Sequence, residues 1–200
     1  MTKQKRSIDF KKVYPWLLVI AGVLGIIASL VLSIEKIALL KDPTYSASCN
    51  INPVLSCNNI IKTPQASLLG FPNPFIGMAA YAMVLTTGVA VIAGGKFKRW
   101  YWQIFQLGTL AGVVFVHWLI HQSLYSIGAL CLFCMLAWTV TIPSFLYTLL
   151  WNLREGNIVP PKSLRGAAAF FDRHHVDILV VWYLAIIFAI LNRFWYYFGG

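Results

Sequence analysis

The chain has 200 residues, of which 59% are hydrophobic and 11% are charged, and its mean hydropathy is +0.72. A soluble domain carries a charge on about 25% of its residues, so this composition excludes an ordinary soluble protein and indicates an integral membrane protein. The net charge of +10 does not indicate nucleic acid binding, because a basic recognition face needs a water-exposed surface on which to lie.

Five apolar segments are long enough to cross the hydrocarbon core as helices, which takes about 20 residues each. We predict these spans, in chain order, at residues 14–33, 75–93, 101–120, 129–150 and 176–198. The fifth span is the least regular, because Arg193 interrupts its end. Glycines within the spans, such as Gly22, Gly88 and Gly108, are predicted to let neighbouring helices pack closely.

The distribution of Lys and Arg predicts the orientation of the spans. With the N-terminus in the cytoplasm, twelve of the 16 Lys and Arg residues fall in cytoplasmic segments, as the positive-inside rule requires. The first span is too long for the apolar part of a cleaved signal peptide, so we interpret it as retained. The long connection at residues 34–74 is then extracytoplasmic, and its five prolines favour short helical turns lying over the membrane surface.

All four cysteines are predicted on the extracytoplasmic side, where disulfides form and persist. Cys49 and Cys57 lie in the long connection, whereas Cys131 and Cys134 form a CxxC pair at the mouth of the fourth span. We place Cys131 in the first turn of a helix, where unpaired backbone N–H groups and the helix dipole favour a thiolate. Cys134 lies about one turn deeper, facing the bundle. The pattern indicates a redox relay between a donor in water and an acceptor in lipid.

Three other interpretations of the cysteines agree less well with the sequence. A four-cysteine metal site normally has a CxxC pair on each side, which this chain lacks, and no metal ligand is predicted. Attachment of haem is excluded, because Met135 rather than histidine follows Cys134. Two static disulfides in a non-catalytic membrane scaffold remain an alternative.

The cysteine order, with the segments "SCNINPVLSCNNI" and "GFPNPFIGM", closely resembles the vitamin K epoxide reductase family in its bacterial branch, over roughly residues 15–151. Another quinone-linked family of bacterial disulfide-forming proteins also has four helices and two cysteine pairs, but its CxxC pair precedes its loop pair. The resemblance implies an all-α bundle of four transmembrane helices around a quinone, capped by the long loop. We expect a fifth transmembrane helix, either beside this bundle or as part of it, and we expect residues 1–200 to form one membrane domain.

The resemblance also implies a role for each cysteine. Cys134 would face a quinone of the menaquinone, ubiquinone or vitamin K type, and Cys131 would exchange with the loop. Cys57 would bridge transiently to Cys131, and Cys49 would meet a thioredoxin-fold, DsbA-like partner. Many bacterial members continue into a fused thioredoxin-like domain, whereas this sequence is expected to use a separate one.

Four residues are predicted to contact the quinone. Asn73 matches a family asparagine that hydrogen-bonds a quinone carbonyl, and Trp138 stands where animal members have a tyrosine. Phe75 is an aromatic residue predicted near the pocket, and His117 could reach a quinone oxygen. Glu35 and Lys36 are interpreted as residues at the level of the lipid headgroups; Ser56 matches a serine of the family loop.

The function predicted from these features is a quinone-dependent thiol oxidoreductase that generates disulfides. We expect it in the bacterial cytoplasmic membrane, with the partner, the quinone and the cysteines meeting on the extracytoplasmic side. Reduction of vitamin K quinone or its epoxide is an alternative activity, because the same cysteines would serve it. The non-catalytic scaffold is the alternative from a different class.

Overall fold

The structure, a computed structural model, describes residues 10–68 and 70–198, apart from the side chains of Tyr196 and Phe198. Within these residues, five helices are long and apolar enough to cross a membrane, which confirms the predicted all-α, multi-pass architecture. They are α1 (Phe10–Lys41), α3 (Asn73–Ile92), α4 (Arg99–His121), α5 (Leu132–Arg154) and α7 (His175–Arg193). Helix α4 continues directly into a π-helix, Gln122–Ile127.

The remaining helical elements are short and lie in the connections. Helix α2 (Cys57–Ile61) and a 3-10 turn (Pro64–Ser67) lie between α1 and α3. A second 3-10 turn (Lys162–Leu164) and helix α6 (Arg165–Arg173) lie between α5 and α7, and α8 (Trp195–Phe198) follows α7. Cys49, Cys57 and Cys131 share one buried cluster, with Cys134 packed against it, at one end of the bundle, which is called here the cysteine end.

Helix α1 is central to the bundle, because it packs along both α3 and α5, while α4 packs on α5. Glycines make the contact of α1 with α3 possible: a Cβ on Gly22 would lie 2.6 Å from the Cβ of Leu85, and one on Gly88 would lie 2.8 Å from the Pro15 carbonyl oxygen. The close-packing prediction is confirmed for these two. An added Cβ on Gly108 would meet no described atom of this chain within 4 Å, so close packing of Gly108, which the sequence allows within the bundle or between chains, stays a prediction.

Helix α1 extends eight residues beyond the predicted end of the first span, to Lys41. The extension covers residues 34–41. These residues favour a helix, and the next proline in the chain is Pro43. The predicted start of the loop, at residue 34, is therefore eight residues too early. Glu35 and Lys36 consequently lie on a rigid helix beneath the loop, with Glu35 buried.

The fifth span ends earlier than predicted, at Arg193, and Phe194 separates it from α8. Phe194 is fully buried, and it joins a cluster with residues of the bundle and of the loop. The basic residues Lys3, Lys5 and Arg6, which contribute to the predicted orientation, lie outside the described residues.

Candidate thiol–disulfide site

The loop that carries the first cysteine pair is built from side-chain caps. The side chain of Asn52 accepts hydrogen bonds from the backbone N–H groups of Val54 and Leu55, at 3.0 and 2.7 Å, which closes a tight turn. Ser56 then caps α2, since its hydroxyl accepts from the N–H of Asn59. Cys57 is thereby the first residue of α2, and it forms a disulfide with Cys49.

Backbone pairing brings this loop against the CxxC segment. The N–H of Ser56 donates to the carbonyl of Leu130 at 2.9 Å, and the N–H of Leu130 donates to the carbonyl of Val54 at 2.7 Å. The chain reaches this position through Gly128, which ends the π-helix with φ at 71°, a conformation that glycine adopts without strain. Cys57 and Cys131, each one residue beyond the paired segment, are consequently neighbours.

The sulfur of Cys131 lies 3.0 Å from the sulfur of Cys57. Cys131 and Cys134 carry free thiols, whereas a disulfide sulfur has no hydrogen to donate, so this contact presents the Cys131 thiol to the Cys49–Cys57 bond. Cys57 and Cys131 are fully buried and Cys49 is nearly so, with an exposed fraction of 3%. A thiol in contact with a disulfide sulfur is the arrangement that thiol–disulfide exchange requires.

Cys131 is the N-cap of α5, where its sulfur accepts a hydrogen bond from the backbone N–H of Cys134 at 3.4 Å. The pKa of the Cys131 thiol lies below its ordinary value, chiefly because the Cys134 side chain hydrogen-bonds to it, and the N–H groups of Cys134 and Phe133 act in the same direction. Burial and the Glu35 carboxylate oppose this effect. Such an environment favours the nucleophilic thiolate at Cys131.

The ligand atoms of Cys49, Cys57 and Cys131 all lie within 4.8 Å of one another, close enough to surround one metal ion. Two of the three are bonded to each other, however, and a thiolate ligand set requires reduced sulfurs. In this oxidation state the cluster is equipped for thiol–disulfide exchange.

Cys134 borders a narrow cleft between the loop and the bundle. The cleft has a free volume of about 30 Å³, enough for water but far below the roughly 300 Å³ of a small ligand pocket, so a larger ligand has to displace its walls. It is lined by Ile60, Thr63, Gln65, Ala66, Leu119, Gln122, Ser123, Ile127, Cys134 and Trp138.

The indole N–H of Trp138 indicates whether the chemistry of this cleft suits a quinone. Its indole N–H is buried and has no hydrogen-bond partner among the described residues. Leaving a buried donor unpaired is costly, and a carbonyl oxygen of a ligand would satisfy it. An unpaired indole donor in the cleft that Cys134 borders therefore suits the carbonyl oxygen of a quinone.

The other predicted quinone contacts do not line the cleft. Asn73 organises its wall instead: its side-chain oxygen accepts from the N–H of Leu68 at 3.0 Å, and its amide donates to the carbonyl of Gln65 at 2.6 Å. Phe75 is exposed on α3. His117 has both ring nitrogens occupied, by the Val113 carbonyl at 2.7 Å and by the indole of Trp182 at 2.8 Å.

Glu35 and Lys36 bind two separate segments of the loop, one at Ser48 and one at Ile61. The sequence-based interpretation, which assigned them to the headgroup level, did not predict these contacts. One Glu35 oxygen accepts from both the N–H and the hydroxyl of Ser48, at 3.1 and 2.6 Å, beside Cys49. The ammonium of Lys36 donates to the carbonyl of Ile61 at 2.7 Å, at the end of α2. We call this pair the α1 clamp. The other Glu35 oxygen is buried with no partner among the described residues.

Polar residues of the cleft wall, notably Gln122, Ser123, Thr63 and Gln65, were not identified from the sequence. The position of Gln122 and Ser123, in the short connection just before the CxxC pair, could have predicted that they lie near Cys134. The positions of Thr63 and Gln65 could not, because only the folding of the loop brings them to Cys134.

The helices and the sulfur cluster together define a multi-pass membrane protein with a paired thiol and disulfide at one end of its bundle. A family model described as "Vitamin K epoxide reductase family" matches residues 16–149, and the chain belongs to this family of membrane oxidoreductases. Comparison with individually curated proteins gives no significant match.

Proposed function

We propose that this protein is a quinone-dependent thiol oxidase that generates disulfides in a thioredoxin-fold partner. The observation that carries the proposal is the 3.0 Å contact between Cys131 and the disulfide-bonded Cys57. It brings one cysteine of the CxxC pair, at the start of a membrane helix, against a disulfide of the loop, as a relay between them requires. Two static disulfides would instead pair Cys131 with Cys134, which here are free thiols.

The relay starts with a thiolate of the reduced partner, which attacks Cys49 and releases the Cys57 thiolate. The second partner thiol attacks the mixed disulfide, so that the partner leaves oxidised and Cys49 is reduced. The Cys57 thiolate attacks Cys131 of an oxidised CxxC pair and releases the Cys134 thiolate. Cys49 then attacks Cys57, which restores the loop disulfide and leaves two electrons on Cys131 and Cys134.

A bound quinone would accept the two electrons and two protons at the end of this sequence. Trp138 would donate a hydrogen bond to one of its carbonyl oxygens, and Cys134 would face the ring. Asn73 would shape the turn that forms the opposite wall, through its hydrogen bonds to that turn. A low-pKa Cys131 favours each exchange in which this residue attacks or leaves.

The charges support an orientation with the cysteine end outside a bacterial cytoplasmic membrane. The connections at the other end carry Lys96, Lys98, Arg99, Arg154, Lys162, Arg165 and Arg173. Few basic residues lie at the cysteine end, so the positive-inside rule supports an orientation with this end on the oxidising side. Residues 1–200 would act there as one membrane domain.

The decisive experiment uses the full chain in lipid nanodiscs with a reduced thioredoxin-fold protein and a short-chain quinone. We expect one quinone to be reduced for each disulfide formed in the partner, and no turnover in Cys131→Ser or Cys134→Ser. Full turnover in either variant would refute the relay. Quinone epoxide, offered in place of quinone with a dithiol reductant, tests the alternative activity with the same preparation.

A further inference from the structure

The fifth helix is joined to α4 and α5 by side-chain hydrogen bonds. The indole of Trp182 donates to His117 of α4 at 2.8 Å, and the hydroxyl of Tyr183 donates to the carbonyl of Thr139 of α5 at 2.6 Å. Otherwise α7 is peripheral, since none of its residues, all of which the structure describes, is buried. At the other end of α7, the Tyr147 hydroxyl of α5 and the His175 Nδ1 lie 3.3 Å apart. The helix is therefore hydrogen-bonded along its length to α4 and α5, the two helices that border the cleft.

At its end, the fifth helix enters the core behind the cleft. Phe194, the residue after α7, is fully buried in a cluster that contains Trp138, Leu130 and Val54. These three belong to the cleft wall, to the segment before Cys131 and to the loop, respectively. Since protein interiors are closely packed, a large buried ring in this cluster limits how far its neighbours can retreat.

Arg193 acts on a second wall of the same cleft. Its Nε donates to the carbonyl of Leu124 at 2.7 Å, within the π-helix. The π-helix supplies Gln122, Ser123 and Ile127 to the cleft. π-Helices are rare and are found mostly as single turns. The guanidinium of Arg193 is a charged donor, so its hydrogen bond to the Leu124 carbonyl is stronger than one from a neutral donor.

We infer that Arg193 and Phe194 are positioning residues of the electron-acceptor cleft, through which the fifth helix determines the size of the quinone ring that reaches Cys134. This inference rests on the proposed function. Phe194 fills the buried cluster to which Trp138 belongs, and Arg193 is hydrogen-bonded to the π-helix that supplies three residues of the cleft. Neither residue lines the cleft itself, so each acts through the wall that it supports.

The inference predicts a change in selectivity. In Phe194→Ala, Trp138 can retreat into the vacated volume, so the cleft admits a bicyclic ring more readily than before. The ratio of kcat/KM for a short-chain naphthoquinone to that for a short-chain benzoquinone should rise by about tenfold, the scale on which small changes in an apolar pocket alter specificity. Arg193→Gln should raise the KM for both quinones and speed hydrogen–deuterium exchange of the amides at 122–129.

The experiment measures both quinones with the full chain in nanodiscs, together with the quinone-free transfer of electrons from a reduced partner to an oxidised CxxC pair. Trp195→Ala serves as the matched control, because Trp195 is an exposed aromatic residue adjacent to Phe194. Phe194→Leu provides a milder variant with most of the packing retained. We expect the quinone-free transfer to keep its wild-type rate in both Phe194 variants.

An unchanged selectivity ratio in Phe194→Ala and Phe194→Leu would overturn the inference while the proposed function stands. Equal loss of quinone-free transfer and of quinone reduction in both variants would also overturn it, since Phe194 would then support the whole fold rather than the cleft. Absence of quinone reduction in the wild-type protein would instead refute the proposed function.

Discussion

The sulfur of Cys131 lies 3.0 Å from the sulfur of Cys57, although the two residues are 74 positions apart in the chain. In a variant with Cys49→Ser and Cys134→Ser, these two cysteines lose their other partners, and we expect them to form the disulfide with each other. Mass spectrometry of peptides from the non-reduced protein measures this bond.

The control for this trap is the pair Cys49→Ser and Cys131→Ser, which leaves Cys57 with Cys134. Cys134 lies a helical turn deeper than Cys131, so we expect little cross-linking in the control. Equal yields in the two double variants would contradict the assigned exchange pair.

The pH dependence of Cys131 should follow its hydrogen bonds. Because the pKa of this thiol is lowered, the thiolate persists to lower pH than for an ordinary cysteine, whose pKa is about 8.5. Cys134→Ala removes the main lowering cause, so the midpoint of alkylation by iodoacetamide should move to higher pH, with slower reaction at neutral pH. Phe133→Ala keeps the backbone N–H and should leave the midpoint in place; a downward shift in Cys134→Ala would contradict the mechanism.

The α1 clamp should control access to Cys49. Cys49 is 3% exposed, so a partner thiol reaches it only when the segment around Ser48 lifts from Glu35. With Cys49 as the single cysteine, Glu35→Ala should speed its labelling by a soluble maleimide by about tenfold, since it removes two hydrogen bonds to a charged acceptor.

Glu35→Gln is the matched control for this labelling, because it keeps a side-chain oxygen for Ser48. Its labelling rate should lie between those of the wild type and Glu35→Ala. Lys36→Ala releases the other arm, at Ile61, and should affect Cys49 less. If all three variants label at the wild-type rate, the clamp does not limit access to this residue.

Trp138→Phe keeps the aromatic ring but removes the unpaired N–H. We expect the KM for quinone to rise by up to about tenfold, the value of one hydrogen bond, with unchanged transfer between Cys57 and Cys131. Trp151→Phe is a suitable control, because the Trp151 indole N–H is also buried without a partner in the described part of the chain. Trp151 packs on Tyr14 and Trp102, at the other end of the bundle. A similar KM in both variants would argue against Trp138 as a quinone contact.

The sequence by itself determined the number and approximate positions of the membrane helices, because a span needs only a long run of apolar residues. It also determined the two cysteine pairs, through the spacing of Cys131 and Cys134 and the loop motif. These features are local in the chain. The end of α1 was misplaced because hydropathy falls at Glu35, whereas the helix continues as long as its residues favour helical geometry.

Only the tertiary structure decided which residues act together. Trp138 has an unpaired indole N–H and lines the same cleft as Cys134. His117, in contrast, accepts a hydrogen bond at Nε2 from Trp182 of the fifth helix. Glu35 anchors the loop through its hydrogen bond with Ser48, a contact that exists only because the loop packs against α1. Contacts of this kind join residues distant in the chain, and they depend on helix packing and rotation, which neither composition nor spacing specifies.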